Sequence, residues 1–145
     1  MKLVARDVAD LEVVSSILQD ALVPVSDIAW LTDEHRFVMA VNRFRWEREG
    51  AKSRRDRDER VVTGVTFENV ARVQRRNFDA AGRGGFLNLL SVSLLATSEP
   101  GESVGATVLL TFAGDAAIRL ESAPLLCHLE DIGEPWPTQW RPDHS

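Results

Sequence analysis

The first repeating pattern of apolar residues lies near the start of the chain and has the period of an α-helix. Asp7 is a good N-terminal cap, because its side chain can accept a hydrogen bond from a free amide of the first helical turn. Apolar residues then recur at spacings of three and four, and Pro24 ends the segment. These residues are Val8, Leu11, Val14, Leu18 and Leu22. The pattern predicts an amphipathic helix with one buried face.

Beyond this segment the apolar pattern changes to the alternation that is typical of β-strands. The run 28–31 predicts a short strand, and the alternating apolar residues of 37–41 predict the inward face of another. The next aromatic residues, Phe44 and Trp46, fall on the opposite parity. Because a slip of one residue would turn them outward, we expect a bulge near Asn42-Arg43.

The following segments also have the composition of strands. They are 61–67, 70–73, 86–96, and the pair 108–112 and 118–120. Segment 86–96 is apolar on both parities, which is typical of a strand that is covered on both faces. The last pair is joined by the turn Ala113-Gly114-Asp115, and it predicts a β-hairpin.

The C-terminal part of the sequence predicts a short helix and an extended tail. Pro124 begins the helix, since proline is tolerated in a first turn. Its apolar side consists of Leu125, Leu126, Leu129 and Ile132. Gly133 stands where a C-terminal cap belongs. The tail, residues 133–145, is rich in proline and tryptophan and is expected to be extended.

This order of elements predicts an α+β fold in one domain, residues 1–145. An N-terminal amphipathic helix precedes a curved antiparallel sheet of about six to seven strands, and a short C-terminal helix closes it. The candidate shape is a pleckstrin-homology-like half-barrel. The length of 145 residues is that of one domain, and a chain of this size needs no disulfide or metal to fold.

Charge changes this picture in one region. The run 45–60 holds seven basic and five acidic residues, whereas the whole chain has a net charge of −5. The run has almost no apolar residue after Trp46, so we expect residues 47–60 to form an exposed charged loop. The negative net charge disfavours nucleic-acid binding as the main function.

Three functions remain open, and a non-enzymatic binding or assembly module is the leading one. Its partner is a protein or a second copy of the chain, and its contact residues are expected on the tail and the last hairpin. We select Trp136, Trp140, Arg119 and Glu121. The second function is a small-molecule enzyme or ligand binder that uses a cleft between the sheet and the N-terminal helix. The third is nucleic-acid binding through the charged loop together with Arg72, Arg75, Arg76 and Arg83.

We expect no catalytic set, cofactor or metal. Cys127 and His128 are adjacent, and adjacent residues on the expected helix diverge by about 100°. They therefore do not predict a metal site or a catalytic dyad. No apolar run is long enough to span a membrane. One cysteine fits a reducing compartment, and the expected location is the cytoplasm.

Four segments resemble those of a small alphaproteobacterial family of unknown function. They are 27–31 (DIAWL), 67–70 (FENV), 117–121 (AIRLE) and 129–136 (LEDIGEPW). The resemblance covers nearly the whole chain, and its closing segment is the most specific part. It implies no activity and no site residue, because none is assigned in that family.

Overall fold

The computed structural model describes residues 1–44, 59–78, 85–97, 105–132 and 136–137. Within them the chain forms one α-helix and eleven strands of a single antiparallel sheet. The helix α1 is Val8–Leu18. The strands are β1 (Lys2–Ala5), β2 (Ala21–Pro24), β3 (Ile28–Leu31), β4 (Arg36–Phe44), β5 (Glu59–Phe67), β6 (Val70–Arg76), β7 (Phe86–Thr97), β8 (Ala106–Phe112), β9 (Ala117–Ser122), β10 (Cys127–Asp131) and β11 (Trp136–Pro137).

The predicted α+β class with six to seven strands is therefore wrong. The described chain is mostly β, and the segment that was expected to be the C-terminal helix is strand β10. The buried residues there are Leu125, Cys127 and Leu129, which alternate with less buried neighbours. Strand β10 pairs with β1 on one side and β5 on the other, and these two ladders satisfy its backbone better than an isolated short helix could.

Helix α1 forms where the periodicity predicts it, although it is shorter. The Asp7 carboxylate accepts a hydrogen bond from the Asp10 amide at 2.8 Å, which caps the first turn. Leu11, Val14 and Leu18 are its buried residues. The helix ends at Leu18, and Leu22, which the pattern assigned to the helix, lies in β2.

The order of the strands requires a strongly curved sheet. Along the order β1-β10-β5-β4-β2-β7-β8-β9-β6, six steps separate β5 from β6. A flat sheet would place them about 29 Å apart. Only Glu68 and Asn69 join the two strands, and such a link spans about 10 Å. The sheet therefore curves until β5 and β10 meet β6 and β9.

Backbone hydrogen bonds hold this meeting point, which we call the corner. The Glu68 amide donates to the Leu126 carbonyl at 2.9 Å, and the Ala123 amide donates to the Asn69 carbonyl at 3.1 Å. The Ser122 hydroxyl donates to the Glu68 carbonyl at 2.7 Å. The corner thus links the first and second halves of the chain around one core.

The bulge that was expected near Asn42-Arg43 does not form. Strand β4 pairs with β5 from Phe37 to Phe44 without a shift of register. Every second residue of β4 is buried, without interruption. Arg43 occupies the last of these inward positions and is completely buried. The bulge was predicted from the odd and even positions of the aromatic residues. That prediction was wrong because a charged residue, Arg43, takes an inward position.

Strand β7 has apolar residues at both odd and even positions, but not because both of its faces are covered. Its register with β8 shifts twice, between Leu89 and Ser91 and between Leu94 and Ala96. The extra residues at these bulges, Leu90 and Leu95, are 42% and 51% exposed. The strand is therefore not covered on both faces. Two bulges place leucines on the outside instead.

Most of the predicted charged loop and tail lies outside the described residues. Of the segment 47–60, only Glu59 and Arg60 are described, and they belong to β5 rather than to a loop. Of the tail 133–145, Trp136 and Pro137 form β11, which pairs with β5. No helix in the described part of the chain is long and apolar enough to cross a membrane.

Candidate functional site

Two sets of residues that the sequence analysis kept apart meet on one edge of the sheet. Arg119 and Glu121, from the predicted partner-binding set, lie on β9. Arg72, Arg75 and Arg76, from the predicted nucleic-acid set, lie on β6, which pairs with β9. The four arginines of β6 and β9 are called the basic edge below.

Of the two tail tryptophans, the structure describes only Trp136, and its backbone pairs with β5 rather than with β6 or β9. The backbone of Trp136 pairs with Arg60, at the end of β5 that lies away from the corner. Trp140 and Arg83 lie outside the described residues. The predicted surface made from Trp136, Trp140, Arg119 and Glu121 is therefore not assembled by the described part of the structure.

The side chains of the basic edge are exposed and only loosely paired. Arg72 lies 3.8 Å from Glu121, and Arg76 lies 3.2 Å from Asp115. The Arg75 guanidinium stands over the Phe78 ring, with 5.6 Å to the ring centroid. Exposed ion pairs of this kind contribute little to stability, so their arginines stay accessible to another acidic group.

A second open edge lies on β7, opposite helix α1. Strand β2 pairs with β7 only as far as Leu89. From Leu90 onward, the side of β7 that faces away from β8 has no strand partner among the described residues and faces α1 instead. The Ser15 hydroxyl of α1 accepts a hydrogen bond from the Val92 amide at 2.9 Å. A helix side chain thus takes the place of a neighbouring strand.

Between α1 and this edge lies a groove with a volume of about 510 Å³, called the α1–β7 groove. It corresponds to the cleft that the sequence analysis predicted for a ligand binder. Exposed parts of Val8 and Leu90 and several serine hydroxyls line it, with Glu12 as its one charged residue. The full lining is Val8, Leu11, Glu12, Ser15, Ser16, Gln19 and Leu90–Leu94.

Sequence reasoning found the groove only in outline. It missed Ser15 and Val92, whose contact depends on the docking of α1 against β7. The one available signal was the slip of parity in β7, which marks the bulge beside Leu90. A bulge breaks the ladder locally and re-aims its residues. The extra residue of this bulge, Leu90, belongs to the lining of the groove.

A buried polar cluster lies at the other end of the core, around Arg43. Its Nε donates to Thr63 Oγ1 at 2.8 Å, and its Nη2 donates to Asp131 Oδ1 at 3.0 Å. Thr63 and the Met1 ammonium also donate to Asp131. Burial raises the pKa of Asp131, but these hydrogen bonds and the charge of Arg43 outweigh it and hold the pKa below its ordinary value. The cluster is satisfied internally, so we assign it to stability.

Cys127 and His128 do not form a reactive pair. Both lie on β10, so their side chains point to opposite faces of the sheet. Burial raises the pKa of the Cys127 thiol to about 12, which keeps it a thiol at neutral pH. His128 lies beside Thr66 and Glu130 in a depression on the outer face. No group of three or more potential metal ligands occurs in the described part of the chain.

A family model described as "Protein of unknown function (DUF2948)" matches residues 1–144. The chain belongs to this family. The resemblance to a family of unknown function is thereby confirmed, while the alphaproteobacterial origin stays a prediction. No curated protein and no solved structure matches the chain. Membership in DUF2948 assigns no activity, so function has to be argued from the two open edges.

Proposed function

We propose that this DUF2948 chain is a protein-binding module that takes an extended segment of a partner into the α1–β7 groove. The segment adds a strand to β7, a mode of recognition that other sheet proteins use. One observation carries the proposal: beyond Leu89, β7 has no strand partner among the described residues on the side that borders the groove. The function that this open edge supports is therefore binding.

The Ser15 contact supports the idea that this edge accepts a strand. In an antiparallel ladder, the amide and carbonyl of one residue point to the same side. Because the Val92 amide points to α1, its carbonyl does too, and so do the groups of Leu94, two residues along. The Ser15 oxygen occupies the position that a carbonyl of an added strand would take.

The dimensions and lining of the groove describe the segment that fits it. Helix α1 has 11 residues, which corresponds to about 16 Å, or about five residues of extended chain. Val8 is 50% exposed and Leu90 is 42% exposed, so both offer apolar surface to a partner. The segment we expect is short and carries apolar residues at alternate positions.

The test is a selection of random dodecapeptides displayed on phage, using the full chain, followed by affinity measurements on the enriched peptides. Ser16→Trp fills the groove and should abolish binding. Val13→Trp is the matched control, since Val13 is an exposed residue of the same helix that does not line the groove. Ser15→Ala removes the competing acceptor and should tighten binding by about threefold.

Hydrogen exchange completes the test, because strand addition must protect the Leu94 amide when peptide is bound. If no peptide is enriched, or if Ser16→Trp binds as well as the unchanged chain, the proposal is wrong. Enriched peptides that leave β7 exchange unchanged would place binding elsewhere and would also contradict it.

A further inference from the structure

We infer that β6 is a second interaction surface, which takes an acidic extended segment of another protein by strand addition. It is separate from the α1–β7 groove and goes beyond the function proposed for it. The inference depends on two observations: an exposed strand edge without a neighbouring strand among the described residues, and a row of arginines along it.

Strand β6 is the last strand in the sheet order. It pairs with β9 on one side, and no strand lies on its other side in the part of the chain that the structure describes. Five of its seven residues are exposed. The Val70 amide donates to the His35 carbonyl at 2.8 Å. From Ala71 to Arg76 the edge offers amide and carbonyl groups without a strand partner among the described residues, over about 20 Å. Such an edge is a template for another strand.

The arginines are spaced as the side chains of an added strand would be. On the outer face, Arg72 and Arg76 belong to β6, and Arg119 of β9 lies opposite Gln74 between them. On this face, each of the residue pairs at positions 72, 74 and 76 of β6 contains one arginine, from either β6 or β9. Neighbouring arginines are about 7 Å apart along the strand. Acidic residues at alternate positions of a bound strand would face them with the same interval.

The local acids neutralise the arginines of this edge only in part. Glu121 and Asp115 lie near Arg72 and Arg76, but no ion pair of Arg75 or Arg119 occurs among the described residues. The edge is therefore net positive in a chain whose net charge is −5. This charge complementarity selects an acidic partner.

The same arginines exclude a second copy of the chain as the occupant. Pairing two β6 strands would bring two net positive edges together, and like charges on neighbouring strands destabilise a sheet. A peptide also fits better than a nucleic acid. The free carbonyls of the edge need donors, which a peptide backbone has and a phosphodiester backbone lacks.

The probe for the experiment is a nonapeptide in which Glu alternates with Val and Thr. Its affinity for the full chain is measured by fluorescence anisotropy. Two further peptides serve as controls: one with Lys in place of Glu, and one whose alternate amides are N-methylated along one edge, made in both registers. We expect the Glu peptide to bind, and also the N-methylated peptide whose methyl groups lie on the edge away from β6. The Lys peptide lacks the charge, and the peptide methylated on the other edge lacks the donors that face β6, so neither should bind.

The protein variant is Arg72→Glu combined with Arg76→Glu, and we expect its affinity to be at least about tenfold lower. The matched control is Lys2→Glu combined with Arg6→Glu, which makes the same change of net charge at exposed residues near β1. Circular dichroism checks that both variants fold. Ser16→Trp should leave this binding unchanged, since that residue lies in the α1–β7 groove.

Hydrogen exchange of β6 separates strand addition from simple charge attraction. Protection of the Arg72–Arg76 amides on binding supports the inference. Equal binding of a deoxythymidine decanucleotide without such protection would identify a polyanion surface and overturn it. Failure of the Glu peptide to bind would mean that the arginines serve only to keep the edge from pairing, and would overturn it as well.

Discussion

At the scale of residues, Arg43 shows how one side chain can decide the geometry of a strand. It occupies the fourth inward position of β4, after three apolar residues, and is fully buried. A buried guanidinium is tolerated only when its donors are satisfied, and Thr63, Asp131 and the Phe44 carbonyl satisfy them. The charge of Arg43 is therefore tied to Asp131, on a strand far away in the sequence.

We predict that Asp131→Asn lowers the free energy of unfolding by about 3 kcal/mol at neutral pH, because it removes the ion pair between Asp131 and the buried guanidinium of Arg43. Urea denaturation measures the change. Asp33→Asn is the control, since Asp33 is an exposed acid without an ion pair in the described part of the chain. A loss no larger than that of the control would show that the cluster does not stabilise the fold.

We also predict how the loss of stability in Asp131→Asn depends on pH. The folded-state pKa of Asp131 lies below its ordinary value, so the ionised carboxylate stabilises the fold. This contribution is complete above the unfolded-state pKa and is lost as pH falls below about 4, through the folded-state pKa. The difference between the unchanged chain and Asp131→Asn should therefore shrink in acid. A difference that is constant from neutral pH to acid would contradict this assignment.

At the scale of elements, α1 and β7 depend on each other. The pairing of β7 with β2 stops at Leu89 because β2 begins at Ala21, and Ser15 of α1 accepts a hydrogen bond from the Val92 amide beyond that point. The helix in turn starts at the cap Asp7, directly before the groove residue Val8. The groove thus exists only while the first turn of α1 is formed.

We predict that Asp7→Ala costs about 1 kcal/mol of stability, since it removes the acceptor of the Asp10 amide. Thermal or urea unfolding measures the loss. It should also weaken peptide binding in the α1–β7 groove, because the first turn frays. Asp7→Ser retains a capping oxygen and should restore both properties to within a few tenths of a kcal/mol. If Asp7→Ser loses as much stability and peptide affinity as Asp7→Ala, the loss of the helix cap does not explain either effect.

At the scale of the whole molecule, the corner turns a row of strands into a closed core. Two short links, Glu68-Asn69 and 123–126, each cross from one end of the sheet to the other. The closure leaves β6 as an outer edge, and it buries apolar residues from both halves in one cluster. The β6 edge, proposed here as a binding surface, follows from this arrangement.

We predict that Ser122→Ala destabilises the chain by about 1–2 kcal/mol, because the Glu68 carbonyl at the corner loses its donor. Ser26→Ala, at an exposed position, should change stability by less than about 0.5 kcal/mol. Urea denaturation compares the two. Equal values would show that the Ser122 hydroxyl does not hold the corner.

Some elements could be predicted because their signals are local. The spacing of Leu11, Val14 and Leu18 after the cap Asp7 predicts α1, and the turn 113–115 predicts the hairpin of β8 and β9. Other elements carry ambiguous local signals. Segment 124–132 has apolar residues that fit a short helix, and only its pairing with β1 and β5 makes it β10. Strand β1 was missed because four residues are too few to show a period.

The sequence by itself determined the helix, most strands and the family, since hydrophobic period, capping and turn residues act over short distances. It also determined the charges that set the basic edge apart. Only the tertiary structure decided that Arg43 is buried, that β6 joins β9 and that β7 faces α1 instead of a strand. These features depend on contacts between residues far apart in the chain, and no local pattern encodes which strands become neighbours when the sheet closes.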